Sequence, residues 1–477
     1  MPADRDTILV TGATGYIGGL LLQRLQTGEG HLRCLARRPH ELASQLSGGT
    51  EVVAGDVLDP QSLAVAMHGV QTGYYLVHSM NAAEDFQELD RRAASNFAEA
   101  ARHAGVARII YLGGLGSGDD LSEHLASRHE VGRILRSSGV ATIELRASIV
   151  IGSGSASFEA LRDVVDRLPA IPTPTWSKTA AQPIAVEDVI EYLVAAKAVE
   201  PKGSTVYEIG GSDRTSYVEV MREYARLRNL RRPMVRIPLI TPRAARPFLA
   251  ALTPRYAQVV GTMMGSMRNA TIAHDTAARE AFSVEPRGLR EAIERTLADE
   301  DRTFAETHWS ETITPPEESR VGGIRLRRRR VSSRAVPVNR RADGAFAFIE
   351  RIGGNTGWYA HNWFWRLRGL LDELRGGVGL RRGRRHPQRL EVGDEVDFWR
   401  VEQLEPGRRL LLAAEMKLPG RLWLQYEVQP KDEGSQIRQT TVFDPAGYVG
   451  LAYWYLLYPV HTTIFRAMLY GLRRATI

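Results

Sequence analysis

The chain has 477 residues, a net charge of +7 at neutral pH and one cysteine, Cys34. Its length exceeds one ordinary hydrophobic core, so two or three domains are expected. A single thiol excludes an internal disulfide framework and a cysteine-built zinc site, and it fits a reducing, cytoplasmic compartment. The first residues form no apolar signal core and no uninterrupted apolar run reaches ~18 residues, so neither a leader nor a spanning helix is expected.

The stretch ILVTGATGYIGG, residues 8–19, organises the N-terminal part. Ile8, Leu9 and Val10 read as a buried strand, and a helical run begins near Leu20. Between them stand Gly12, Gly15 and Gly18 at three-residue spacing. A strand that turns sharply into a helix aims the helix's free N–H groups and positive dipole end at one point, which suits a pyrophosphate. The first glycine takes the tight turn, the second lets a ligand approach the backbone, and the third lets helix and strand pack closely. Thr14, Tyr16 and Ile17 belong to the same turn and are assigned with it to the cofactor.

Short apolar strands recur at 32–35, 51–54, 73–77, 108–112 and 142–145, each separated by a helix-length segment. This rhythm predicts an α/β domain: a Rossmann-type, doubly wound parallel sheet whose ligand sits at the C-terminal ends of the strands. An acidic residue after the second strand would hold the ribose 2′-hydroxyl of NAD, but this chain has Ala36, Arg37 and Arg38 there. A guanidinium pairs with a phosphate dianion through charge-assisted hydrogen bonds. The reading is therefore NADP, with NAD the alternative if both arginines are solvated charges opening a helix. Asp56 and Val57 follow the third strand and are expected to meet the adenine amino group and cover its ring. The competing role for Asp56 is a turn or a helix cap. Val77, His78 and Ser79 end the fourth strand and would lie beside the phosphates and ribose, with a structural role the alternative for His78.

The TGATGYIG loop, the GDVLD element and the later LRASIVIG and QPIAVEDV stretches resemble the atypical short-chain dehydrogenase/reductases, in their NmrA-like and complex-I-accessory-like branch. The resemblance covers about the first 300 residues. Active members of the wider superfamily carry a serine after the fifth strand and Tyr-x-x-x-Lys on the next helix. The tyrosine transfers the proton; the lysine lowers its pKa and holds the nicotinamide ribose. Here Gly113 and Gly114 occupy the serine position, His124 replaces the tyrosine and Arg128 the lysine. A spacing of four puts both on one helix face. Imidazole transfers a proton near neutral pH, whereas arginine keeps its charge and can only grip ribose or phosphate. The alternative is that His124 and Arg128 are surface residues of a helix without a catalytic pair. Tyr111 and Ser117 are nearby hydroxyls at positions that do not match. Arg146 resembles an arginine that precedes the turn onto the nicotinamide, with Ala147 where proline is common.

Residues 151–300 are expected to add a small substrate lobe, with a strand at 206–209, a helix at 216–229, a proline-rich cleft wall at 238–254 and a methionine cluster at 263–267. Residues 301–345 read as a linker carrying eight arginines between Arg325 and Arg341, and a second basic run occupies 380–389. Such runs are solvated, or they meet anionic lipid or acidic protein; no nucleic-acid module accompanies them. From residue 346 the composition changes, and seven of the eight tryptophans lie beyond residue 300. Strands at 395–403, 409–416, 421–430 and 435–443 precede a long apolar segment, 447–472, that closes a core or lies in a membrane interface. This part, 346–477, resembles an α+β helix-grip, START-like domain that follows some bacterial reductases. The resemblance implies an apolar cavity that Trp358, Tyr359, Trp363, Trp399, Trp423, Tyr426, Tyr453 and Trp454 would line, unless they are core. The whole chain then reads as an NADP(H)-binding reductase of a lipophilic carbonyl or quinone-like compound, or as a catalytically silent NADPH sensor or scaffold.

Overall fold

The computed structural model describes residues 6–28, 30–43, 49–79, 86–118, 120–200, 203–237, 241, 244–248, 264–306, 324–326, 329–354, 356–360, 362–374, 377–379, 386, 389–431 and 434–476. The chain divides into two units, Met1–Glu300 and Asp301–Ile477.

In the first unit, β1 (Thr7–Thr11) is buried on both faces, with Ile8, Leu9 and Val10 at most 1% exposed. Parallel strands covered by helices on both sides read as such continuous apolar runs. The order continues as α1 (Tyr16–Leu25), β2 (His31–Ala36), α2 (Pro39–Ala43), β3 (Thr50–Ala54), α3 (Pro60–Ala66) and β4 (Thr72–Tyr75). Then come α4 (Phe86–His103), β5 (Arg108–Gly114), α5 (Glu123–Arg136), β6 (Ala141–Ala147), β7 (Val150–Ile151) and α6 (Ala156–Arg167). The short strands β8 (Ile171–Thr173), β9 (Ala180–Ala181) and β10 (Ile184–Ala185) precede α7 (Val186–Ala198) and β11 (Thr205–Ile209).

The main sheet has the order β11-β6-β5-β4-β1-β2-β3 and every pairing in it is parallel. The expected Rossmann-type sheet is present, and its strand order reverses between β1 and β4, where such folds bind ligands. One face is covered by α1 and α7 through Leu21, Leu22 and Leu193, the other by α3, α4 and α5 through Leu63, Phe97 and Val131. One expectation fails here. The strand assigned to the substrate lobe at 206–209 is β11, which pairs with β6 as the sheet's seventh strand. Its neighbour was not readable from a local pattern, because strand pairing is a long-range choice.

The remainder of this unit holds β12 (Thr215–Ser216), α8 (Tyr217–Leu227), β13 (Met234–Arg236), α9 (Ala277–Ala281) and α10 (Leu289–Glu306). Phe158, Tyr224 and Ile293 bring α6, α8 and α10 into one small core. The proline-rich cleft wall at 238–254 lies mostly outside the described residues, as does Met263. Met264–Arg268 form a 3-10 turn, and Met267 packs on the small core.

In the second unit β14 (Ile324–Leu326), β15 (Arg329–Val338), β16 (Glu395–Val396), β17 (Trp399–Glu405), β18 (Arg409–Ala414), β19 (Gly420–Lys431) and β20 (Gly434–Pro445) form an antiparallel sheet in the order β14-β15-β20-β19-β18-β17-β16. Its helices are α11 (Ala342–Ile349), α12 (Asn362–Leu374) and the 29-residue α13 (Gly447–Ala475), which continues through Pro459. Trp454, Phe465 and Leu469 of α13 pack into one core with Trp358, Trp399 and Tyr426.

Several expectations change in this unit. Residues 329–338, read as linker, are a strand, and Arg329 and Arg330 are only 8% and 7% exposed. Their guanidiniums lie over the Trp423 and Tyr455 rings, 5.0 and 5.7 Å from the centroids, so cation–π contact replaces solvation. The strand expected at 395–403 is a tight hairpin, turned at Asp397 with φ of 57°. The Asp397 carboxylate accepts the Trp358 indole N–H at 2.7 Å. Trp363 is 65% exposed on α12 and lines no interior space, whereas Trp358, Trp399, Trp423, Tyr426 and Trp454 are buried. Of the basic run 380–389, only His386 and Arg389 are described. No helix among the described residues is long and apolar enough to cross a membrane.

Candidate functional site

The turn between β1 and α1 is built by glycines with different obligations. Gly12 has φ of +76°, and a Cβ there would meet the Leu76 carbonyl oxygen at 2.6 Å. A Cβ on Gly18 would fall 2.1 Å from the Gly12 oxygen. The fold itself demands both glycines. Gly15 has ordinary angles, φ −80° and ψ 168°, and only the Gly12 oxygen, 3.1 Å away, would crowd a Cβ. What its missing side chain leaves open is the approach to the N-terminus of α1. No side chain caps that terminus and its first turn carries no acid, so N–H groups and dipole remain available to an anion.

A cavity of about 400 Å³ opens at this end of the sheet, bordered by Gly12, Thr14, Gly15, Arg37, Asp56, Val57, Val77 and His78. Three other residues of the same turn take supporting places. Ile17 packs on the sheet core, Gly18 sits under the turn, and the Tyr16 ring stands against Gly152 and Gly154. Arg37 follows the last residue of β2, is exposed, and makes no ion pair among the described residues. The Asp56 Oδ1 accepts the Leu58 N–H at 3.0 Å, so the turn role is real, while the residue still borders the cavity. Asn96 of α4 donates to the Val57 carbonyl at 3.2 Å and holds that loop against the sheet.

His78 follows β4. Its Nδ1 lies 2.9 Å from Asp90 Oδ2, and Asp90 also accepts the Ser79 N–H at 2.9 Å and the Ser127 hydroxyl at 3.2 Å. Asp90 is 1% exposed on α4. Burial works to raise its pKa, but the hydrogen bonds from His78 and Ser79 and the charge of Arg128 outweigh this and keep it below the usual range. His78 is held below its ordinary value by burial and by Arg128, against the pull of Asp90.

His124 and Arg128 do share α5, but they do different work. The His124 ring lies 5.2 Å from the His78 ring, and its Nδ1 is 3.2 Å from Ser266 Oγ, itself 2.7 Å from Ser122 Oγ. Burial, with His78 and Arg128 adding to it, lowers the His124 pKa to about 3, so this imidazole is neutral at pH 7. Arg128 is 8% exposed and is no surface residue. It donates to the Leu112 carbonyl and, at 3.4 Å, to the Val77 carbonyl, and it lies over the Tyr111 ring. It therefore ties the segment after β4 to β5 through these two backbone acceptors. A Cβ on Gly113 would come within 3.2 Å of the buried Glu144 carboxylate, which pairs with Arg136 and Arg146. Tyr111 is buried and donates to the Arg128 carbonyl at 2.9 Å, and Ser117 reaches His274 at 3.3 Å.

Asp90 is the member of the site that motif reading missed. A signal exists: with Ala93, Ala94, Phe97 and Ala101 it occupies the buried stripe of α4, where an acid needs a partner. The set as a whole fits a nicotinamide dinucleotide. It offers an open helix N-terminus, an unpaired cation beyond β2 and, at Nε2 of His78, a buried polar atom without a partner among the described residues.

Comparison with known proteins agrees with this geometry. Residues 12–150 match a family model described as NAD(P)H-binding, and residues 329–468 one described as Protein of unknown function (DUF2867). A ceramide reductase of Caulobacter vibrioides is 28% identical over 239 residues, 49% of this chain and 74% of that protein. The chloroplastic divinyl chlorophyllide a 8-vinyl-reductase of Zea mays is 27% identical over 228 residues, 44% of this chain and 56% of its own length. Among solved structures, the Citrobacter sp. triphenylmethane reductase complexed with NADP(H) superposes with a TM-score of 0.51 at 18% identity, over 61% of this chain and 99% of that one, a likeness of fold. The chain thus carries an NAD(P)H-binding domain of Rossmann type that matches over residues 12–150, and a domain of unknown function, DUF2867, that matches over residues 329–468.

Proposed function

We propose that the chain is an NADP(H)-dependent reductase of a lipophilic carbonyl or quinone-like compound. The observation that supports the phosphorylated cofactor is Arg37, an unpaired guanidinium at the cavity rim where an NAD-binding chain would need an acid. The α1 N-terminus and Gly15 would seat the pyrophosphate, Arg37 the 2′-phosphate, and Asp56 with Val57 the adenine. When bound, the dinucleotide supplies the hydride. In the tautomer in which Ser266 donates to Nδ1, the neutral His124 offers its Nε2–H to the acceptor as a hydrogen-bond donor. A neutral imidazole is a poor acid, so it suits acceptors whose reduction leaves a stabilised anion, such as quinones and conjugated carbonyls. The test is NADPH consumption with a panel of quinones and aldehydes, wild type against His124→Ala. Turnover lost in the variant while NADPH binding persists is the expected result. Tight NADPH binding with no acceptor turned over would overturn the reductase reading in favour of a sensor.

A second reading concerns the C-terminal unit. On α12, Trp363, Leu367, Leu370 and Leu374 share one face and are 47–77% exposed. On α13, Val449 and Leu456 are 73% and 79% exposed, and the helix carries Arg466, Arg473 and Arg474 with no acid. Exposed apolar residues on both helices, together with the cationic end of α13, support contact with an anionic lipid surface.

A further inference from the structure

Nε2 of His78 is buried and has no hydrogen-bond partner among the described residues, although the residue borders the cofactor cavity. The other ring nitrogen is committed: Nδ1 lies 2.9 Å from Asp90 Oδ2. The Asp90 carboxylate only accepts, and it is itself fixed by the Ser79 N–H and the Ser127 hydroxyl. Nδ1 therefore carries the proton and Nε2 a lone pair. A buried acceptor of this kind calls for a donor.

We propose that Nε2 of His78 accepts a hydrogen bond from a ribose hydroxyl on the nicotinamide side of the bound dinucleotide, and that Asp90 is the positioning residue that keeps it an acceptor. The inference rests on the NADP(H) reading above. Phosphate oxygens are excluded as partners, because they too only accept at neutral pH. The strand order selects the half of the cofactor. Arg37 follows β2 and Asp56 follows β3, on one side of β1, whereas His78 follows β4 on the other. Neighbouring strands lie ~4.8 Å apart. With the adenosine end over β2 and β3 and the pyrophosphate at the β1 turn, the residue beyond β4 meets the opposite end.

The charged neighbours agree. Arg128, reaching the Val77 carbonyl from α5, opposes a charge on His78, while the His124 ring 5.2 Å away on the same helix is itself neutral. Asp90, on α4, pulls the other way, and burial tips the balance toward the neutral ring. The lone pair thus persists at neutral pH.

The experiment titrates the full chain with NADPH and with 2′,5′-ADP, which keeps the phosphorylated adenosine ribose and lacks the nicotinamide ribose. Wild type, His78→Leu, His78→Gln and Asp90→Asn are compared at neutral pH. Losing one buried hydrogen bond, His78→Leu binds NADPH about tenfold more weakly and keeps its affinity for 2′,5′-ADP within about twofold. Asp90→Asn, whose amide can donate to Nδ1 and so move the ring proton to Nε2, shows the same selective loss. His78→Gln, with an acceptor oxygen, recovers part of the affinity. Unchanged NADPH binding in His78→Leu and Asp90→Asn overturns the proposal. So does an equal loss for both ligands, which would make His78 a structural residue. A wild-type chain that binds neither ligand refutes the NADP(H) reading itself, and the inference falls with it.

Discussion

Gly15 and Gly18 are equivalent in the motif but not in the structure, and an alanine at each separates the two demands. The Cβ of Gly18→Ala would meet only backbone: the Gly12 oxygen at 2.1 Å, the Gly12 carbonyl carbon at 2.8 Å and the Ala13 Cα at 3.0 Å. The first contact is ~1 Å or more inside an ordinary one, so α1 must back away from the β1 turn. That movement loosens Leu21 and Leu22, now 0% and 1% exposed. Overpacking of this kind costs about 1–3 kcal/mol, which lowers the unfolding midpoint of a domain this large by about 2–6 °C. Gly15→Ala meets one neighbour at 3.1 Å with angles that suit alanine. Its stability loss is about 0.5 kcal/mol, within about 2 °C, but its methyl sits where an anion approaches the helix N-terminus. Removing even one charge-assisted hydrogen bond weakens binding about tenfold or more. Thermal melts and NADPH fluorescence titrations on both variants read the two effects. Wild-type NADPH affinity in Gly15→Ala, or a midpoint as low as that of Gly18→Ala, would refute the reasoning.

Replacing Arg37 by alanine is expected to weaken NADPH about 10–100-fold and leave NADH within about threefold, the contribution of paired charge-assisted bonds to one phosphate. A preference for NADPH that survives the change, measured by parallel titrations, removes the assignment. Acid should also destabilise the N-terminal unit. The His124 pKa is about 3 in the fold against an ordinary 6.5, so between those values the unfolded chain binds the extra proton and stability falls as pH drops. From pH 7 to pH 5 this group alone accounts for about 2 kcal/mol. His124→Asn should therefore lose less than wild type in melts at the two pH values, and an identical loss refutes it. For the C-terminal unit, the full chain is expected to sediment with phosphatidylglycerol vesicles and much less with neutral phosphatidylcholine ones. The double change Leu367→Asp and Leu370→Asp should abolish it, and equal binding to both vesicle types counts against the lipid reading.

The N-terminal fold is legible because its strands are buried on both faces and read as apolar runs, while Gly12 and Gly18 mark a turn that tolerates nothing larger. Most cavity-lining residues are legible because in this fold they fall at fixed places after β1, β2, β3 and β4, whereas Leu89 and Ala93 come from α4. The partners of those residues are less so. Arg128 matches the lysine position by spacing, yet its guanidinium turns to carbonyls just beyond β4 and on β5, because those segments offer acceptors that a helix wheel does not display. Arg329 and Arg330 look like a solvated run and instead lie over aromatic rings from Trp423 and Tyr455, more than ninety residues away in the chain.

Local patterns alone determined that a dinucleotide-type turn exists, that a guanidinium follows the second strand, and that a second, aromatic-rich unit comes after it. Steric exclusion at glycine and apolar periodicity act between near neighbours, so a linear text carries them. Only the tertiary structure decided that β11 completes the main sheet, that Asp90 clasps His78, and that His124 is dry enough to stay neutral. Pairing, desolvation and charge balance depend on groups brought together from distant parts of the chain.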